Sequence, residues 1–171
     1  MDTDIAKRFT PSQASFFNAL KSNLDDDLYF YGSIRRFDYL PGKSDIDVDL
    51  FTDNEESSIY KLCNFLNISK DEFKKVVYKI DDRIVKGYKY KYENSAKQLT
   101  VEFSLYNHQY EALVKKQHNK ANELPAILLM CLYVVKCIYY YTGLMPPEVY
   151  VKMKHWLLHM SSERNFILLN T

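Results

Sequence analysis

The 171-residue chain has almost no excess of either charge: 23 Lys and Arg stand against 22 Asp and Glu, a formal net of +1 at pH 7. A protein that coats nucleic acid by bulk charge is far more basic, so that class is excluded, although a local basic groove is not. Cysteines are few and odd in number. Cys63, Cys131 and Cys137 all lie in apolar helical patterns, none at metal-ligand spacing. They read as buried free thiols of a reducing compartment, and a cytoplasmic location is expected. No cationic start followed by an apolar stretch opens the sequence, so no secretory signal is expected. Long hydrophobic runs are missing too. The nearest approach, Ala126 to Met145, is interrupted by Lys136, and the run before that lysine is too short to cross about 30 Å of hydrocarbon. It reads as a buried core helix and not as a membrane span. There is no internal repeat, low-complexity segment or evident linker.

What is present is apolar and aromatic. Hydrophobic residues make up 47% and aromatics 15%, enough to build a core and to exclude a disordered chain. The length suits one domain, or one domain with a small helical extension. Thr10-Pro11-Ser12-Gln13 has the form of a capping box with Pro at the first helical position. It predicts a helix from about Pro11 to Leu24, ended by Asp25-Asp26-Asp27. Leu28 to Tyr31 reads as a short strand. Thr52 with Glu55 and Ser69 with Glu72 have the same capping form. The first predicts a helix with Ile59, Leu62, Cys63 and Leu66 on one face, the second a helix with Phe73, Val76, Val77 and Ile80. Ile84 to Tyr92 and Gln98 to Tyr106 read as the strands of a hairpin, turning at Glu93-Asn94-Ser95-Ala96. After Asn107 the pattern is helical to the end, with Gly143 and Pro146-Pro147 separating the last two helices.

The chemistry concentrates in "SDIDVDL", where Asp45, Asp47 and Asp49 alternate with Ile46, Val48 and Leu50. Such alternation marks a half-buried strand with the acids on one face. Carboxylates that close repel, and a bound cation relieves the repulsion. Mg²⁺ suits a few carboxylates and keeps positions for water and phosphate oxygens. A third acid comes from "KQLTVEFSLYN", where Glu102 is alone in the middle of the polar face and is expected to meet Asp45 and Asp47 across an antiparallel ladder. Asp49 is expected behind the metal or in solvent. Gly32 lets backbone approach a phosphate closely, and Ser33 offers a hydroxyl beside it, with Arg35 and Arg36 just beyond.

Plainer readings compete. Asp45, Asp47, Asp49 and Glu56 fall at positions of a calcium loop, but Leu50 stands where that loop needs glycine, at a cost of roughly 1–2 kcal/mol, and Pro41-Gly42 excludes an entering helix. A purely structural acidic strand edge is the other alternative. In "VKGYKYKYE", Tyr88, Tyr90 and Tyr92 alternate with Lys89 and Lys91. A packed tyrosine face with a solvated lysine face is expected there, and a nucleic-acid surface is the alternative. Lys115, Lys116, His118 and Lys120 read as a solvated helix face. Lys136, inside an apolar helix, either snorkels or points at an anion such as a triphosphate. His155 and His159 are spaced i, i+4 with no third ligand near in sequence.

The strand "YFYGS", the aspartates of "SDIDVDL" and the acid of "LTVEF" together resemble the nucleotidyltransferase superfamily whose best-known member is DNA polymerase β. The similarity covers roughly Leu28 to Asn107. The resemblance implies an α/β fold, a small mixed sheet with flanking helices, followed by a C-terminal helical segment. It divides the chain into a catalytic core, 1–107, and a helical segment, 108–171, packed on it. It implies transfer of a nucleoside monophosphate from an NTP to a hydroxyl of an RNA 3′ end, a protein or a small molecule, with release of pyrophosphate. By resemblance Asp45, Asp47 and Glu102 hold Mg²⁺ (or Mn²⁺) and Ser33 holds phosphate; Gly32 beside it, and Lys136 from its place in an apolar helix, are further phosphate candidates. Where many members have a second glycine shortly after Gly-Ser, this chain has Arg35-Arg36-Phe37. The alternative within the same fold is a non-catalytic interaction or antitoxin-like module.

Overall fold

The computed structural model describes residues 3–24, 26–122, 124–159 and 167–168, without the side chains of 121–122, 159 and 167–168. A single turn, α1 (Thr3–Ala6), precedes α2 (Pro11–Asn23). The predicted capping box is present in full: Gln13 N donates to Thr10 Oγ1 at 3.3 Å and Thr10 N to Gln13 Oε1 at 3.0 Å. Two orphan amides at the helix start are satisfied reciprocally. The helix ends at Leu24, whose extended backbone breaks the ladder; Asp25 lies outside the described residues.

β1 (Leu28–Tyr31) and β2 (Ile46–Thr52) pair antiparallel around the Gly32–Asp45 connection. α3 (Glu55–Leu66) starts two residues later than the Thr52 capping pattern predicts. Thr52 stays in the strand, and Asn54 caps the helix by accepting from Ser57 N at 3.1 Å. Asparagine is the better cap, and strand pairing holds Thr52 extended.

The helix expected after Ser69 is not formed. Ser69 caps only one 3₁₀ turn, Lys70–Glu72, and β3 (Lys74–Ile80) follows. β-branched Val76, Val77 and Ile80 fit a pleated surface, and Asp81-Asp82, with φ of 44° and 61°, form a two-residue turn into β4 (Arg83–Asn94). β4 pairs antiparallel with β5 (Leu99–Asn107), as the predicted hairpin requires. At Gly87 an added Cβ would lie 2.5 Å from the Leu105 carbonyl oxygen and 2.6 Å from the Tyr106 ring, so only glycine fits this crossing.

The sheet order is β1-β2-β5-β4-β3-β6, where β6 is Ile167–Leu168, antiparallel to β3. The chain is therefore not helical to its end. β2 and β5 run parallel, not antiparallel as expected, yet the register still sets Asp47 opposite Glu102. One face of the sheet, Ile46, Val48, Leu50, Val101, Phe103 and Leu105, is buried with Phe16, Phe17 and Leu20 of α2 and Ile59 and Leu62 of α3. Tyr88, Tyr90 and Tyr92 pack on this same core, so the tyrosines are structural, as expected.

The other face carries the polar residues. α4 (Glu111–Asn122) covers its far end, Val114 joining Phe51, Tyr78, Ile80, Val85 and Tyr106 in a second cluster. α5 (Ala126–Cys137) runs into a π turn, Ile138–Thr142, which stops at Gly143 in the left-handed region, and α6 (Pro147–His159) returns along it. This helix pair has a cluster of its own, Leu132, Val135, Tyr150, Leu157 and Leu158. α5 is not a core helix all round: Ile127, Met130 and Val134 are exposed, because only one stripe meets α6. Cys63 is buried, whereas Cys131 and Cys137 are half-buried, a departure from the expected burial that has the same cause. No helix among the described residues is long and apolar enough to cross a membrane.

Candidate active site

Asp45 immediately precedes β2 and Asp47 lies within it, both half-buried, at the mouth and floor of a cavity of about 380 Å³. The floor is made by pairing: Asp47 has Tyr31 on one side and Glu102 on the other. Gly32 adopts φ 71°, and a Cβ built there would fall 2.2 Å from Asp47 Oδ2. The glycine keeps backbone, not a side chain, against the carboxylate. The repulsion inferred from the sequence is present. Burial, then Glu102 and Asp45, push the Asp47 carboxyl up to about 7, with Lys154 and Lys89 pulling the other way.

Ser33 lies in the 3₁₀ turn Gly32–Arg35 on the cavity wall, its hydroxyl 3.5 Å from the Asp45 carbonyl oxygen. The arginines that follow have protein partners. Arg35 donates from Nε to the Phe30 carbonyl and lies over the Tyr29 ring. Arg36 clasps the Asp38 carboxylate with two bonds, at 2.8 and 3.2 Å.

Glu102 reaches the cavity, but its carboxylate is ion-paired with Lys89. Lys89 was expected in solvent. Burial works against its ammonium, but Glu102, with Tyr78 and Asp47, outweighs it, so its pKa is raised. Among the described residues, no three His, Cys, Asp or Glu side chains are gathered as a metal-ion cluster. The structure brings Asp45, Asp47 and Glu102 to one cavity without closing them on one point.

His118 departs from the expected solvated helix face, and of the two places expected for Asp49 the solvent is ruled out. Asp49 is fully buried and its Oδ2 lies 2.8 Å from His118 Nε2, while the imidazole stacks on Tyr31 with ring centres 3.7 Å apart. Burial raises the Asp49 carboxyl, with His118 opposing. The pair ties α4 to the acidic face of β2.

Lys136 is 2% exposed, and its ammonium is committed to the protein. It donates to the Asp38 carbonyl at 2.8 Å and to Ser44 Oγ at 3.3 Å, and lies 2.9 Å from Asp38 Oδ2. Burial lowers the Lys136 pKa against the pull of Asp38. Asp38 is buried too, yet Arg36 and Lys136 together hold its carboxyl below the usual range.

The family profile described as "Nucleotidyltransferase domain" matches residues 14–124, about two thirds of the chain and the stretch that holds Gly32, Ser33, Asp45, Asp47 and Glu102. The chain belongs to the nucleotidyltransferase family. No curated protein matches the sequence of this nucleotidyltransferase domain. The solved structure of a cytoplasmic RNA terminal U-transferase is similar over 77% of this chain and 42% of its own, at 15% identity and a TM-score of 0.37. The chain thus spans less than half the length of that relative.

Sequence reasoning missed the roof of the nucleotidyltransferase cavity. Tyr140, Tyr150, Lys154, His155 and Leu158 line it from the C-terminal helices. The spacing of Lys154, His155 and Leu158 is helical, but nothing local shows which face turns inward. The His155–His159 pairing is only half described, since the His159 side chain lies outside the described residues.

Proposed function

We propose that the protein transfers a nucleoside monophosphate from an NTP to a hydroxyl acceptor, releasing pyrophosphate, with Mg²⁺ or Mn²⁺ as cofactor. The observation that carries this reading is Asp47 at the cavity floor, with Gly32 holding backbone against its carboxylate and Glu102 opposite in register. The donor set fits a hard divalent cation: all three candidates are carboxylates, and burial, with Glu102 and Asp45 adding to it, raises the Asp47 carboxyl to about 7. Asp45 and Asp47 would hold the metal, and Glu102 would join them on leaving Lys89. When bound, Mg²⁺ supplies charge that stabilises the attacking and leaving oxygens of phosphoryl transfer.

The chain's own groups do the rest. Backbone amides at Gly32–Arg35 and the Ser33 hydroxyl hold the β and γ phosphates. One of the three carboxylates, or a water on it, takes the proton of the acceptor hydroxyl. The acceptor oxygen forms its bond to the α phosphorus as the bond to the bridging β oxygen breaks, and pyrophosphate leaves. Residues 1–107 act as catalytic core, and the 108–171 segment supplies the roof. The acceptor is an RNA 3′ end, a protein hydroxyl or a small molecule. The free cysteines support a reducing, cytoplasmic setting.

The test is incubation with each labelled NTP and Mg²⁺, with cellular RNA or protein as acceptor. Label transfer by the wild type, abolished in Asp45→Asn/Asp47→Asn with the circular dichroism unchanged, is the expected result. Equal transfer by the double variant removes the assignment. One observation favours a second reading, a non-catalytic member of the family: Glu102 already has a cation in Lys89. No thermal stabilisation by any NTP with Mg²⁺ would decide for it.

A further inference from the structure

We infer that Lys136 is a positioning residue: through Asp38 and Ser44 it fixes the segment that presents Asp45 to the cavity. The inference rests on the nucleotidyl-transfer reading and adds a residue outside the acidic motif to it.

The connection from Gly32 to Asp45 contains no regular element beyond its first 3₁₀ turn. It is wired instead by side chains. Leu40 N donates to Ser44 Oγ at 3.1 Å, and Ser44 N donates back to the Leu40 carbonyl at 2.9 Å. Asp38 is clasped by Arg36. Lys136 reaches both halves of this arrangement from α5, ninety-eight residues along the chain from Asp38. An ammonium has three donors and no acceptor. Here its partners are the Asp38 carbonyl, the Asp38 carboxylate and the Ser44 hydroxyl.

Ser44 immediately precedes Asp45, so a shift of Ser44 is a shift of Asp45. Ser33, whose hydroxyl lies at the Asp45 carbonyl, shares the consequence. The helix pair α5–α6 has an apolar cluster of its own, and among the described residues none of the sheet belongs to it. Its attachment to the loop is this buried ion pair, with Phe37 against Tyr133 beside it. This interaction therefore ties the helix pair to the loop that carries the first candidate metal-binding carboxylate. A lysine that contacted triphosphate directly would keep a donor for it; these three protein partners match its three donors.

The experiment uses the full chain with Mn²⁺ alone and then Mn²⁺ with ATP as probes. Free Mn²⁺ is read by electron paramagnetic resonance, and hydrogen exchange is followed over residues 38–45. Lys136→Met is expected to weaken Mn²⁺ binding roughly tenfold or more, the usual cost of losing a support behind a metal ligand. The Lys43 and Ser44 amides, which donate to Leu40, should exchange faster. Lys136→Met/Asp38→Asn should bind no more weakly than Lys136→Met, because both act through one connection. Ser44→Ala carries the same test should Lys136→Met fail to fold. Unchanged exchange in the variants overturns the inference. So does Mn²⁺ affinity equal to wild type with only ATP affinity lost, which would assign Lys136 to the triphosphate. A wild type that binds no Mn²⁺ refutes the transferase reading itself and takes the inference with it.

Discussion

At Asp47 one residue has two titrations. The folded carboxyl titrates at about 7, the free one at 3.8. Between those values the folded state keeps a proton that the unfolded chain has released. Stability of the metal-free protein should therefore fall as pH rises from about 4 to 7 and level off above, with a slope of at most about 1.4 kcal/mol per pH unit. Asp47→Asn should flatten that slope in urea titrations at several pH values; an unchanged slope would assign it elsewhere. Mn²⁺ affinity should run oppositely and improve as pH approaches 7, because the metal displaces the proton. Gly32→Ala should cost at least about 1 kcal/mol for the left-handed backbone and push the Asp47 carboxylate aside, so Mn²⁺ binding should fall with stability. The acids were legible in the sequence because alternation assigns faces without knowledge of neighbours. Lys136 was legible only as an oddity and Lys89 was read as solvated, since an ammonium's partner is a matter of tertiary distance.

At the scale of elements, local signals succeeded where nothing overrode them. The capping box at Thr10 formed as written. That at Thr52 lost to strand pairing, and that at Ser69 was spent on one turn before β3. The β3–β4 hairpin turns at Asp81-Asp82, where the sequence reading followed only the helical spacing of Phe73, Val76, Val77 and Ile80; short apolar segments fit both periods. Two substitutions test the corrected elements. Asn54→Ala should destabilise by about 1 kcal/mol, as loss of a helix cap does, whereas a cap at Thr52 would leave it silent. Gly87→Ala should cost more, about 1–3 kcal/mol for overpacking, because its Cβ meets the Leu105 carbonyl, and urea midpoints of the two variants rank them directly.

At the scale of the whole molecule, the fold class followed from the family resemblance carried by Gly32-Ser33 and the acids, but strand direction did not. Whether β5 meets β2 parallel or antiparallel depends on the route through α3 and the β3–β4 hairpin, which no stretch of either strand records. Because the cavity lies between the sheet and the C-terminal helices, a bound nucleotide touches both and should stabilise them together. NTP with Mg²⁺ at a hundred times its dissociation constant should add about 2.7 kcal/mol to unfolding, and Asp45→Asn/Asp47→Asn should lose that gain in a melting assay.

The parallel β2–β5 pair also governs how the chain reaches its native state. β3 with β4 and β4 with β5 are local hairpins, of a kind that zips within about 1–10 μs. Ile46 must find Val101, across about a third of the chain, and that loop closure is the slow event. Until it happens, Glu102 has no place opposite Asp47. A nascent or refolding chain should therefore gain its hairpins first and its acidic centre last. Stopped-flow refolding should show tyrosine fluorescence changing ahead of Mn²⁺ capture, and mutations at the β2–β5 seam should slow folding more than they speed unfolding.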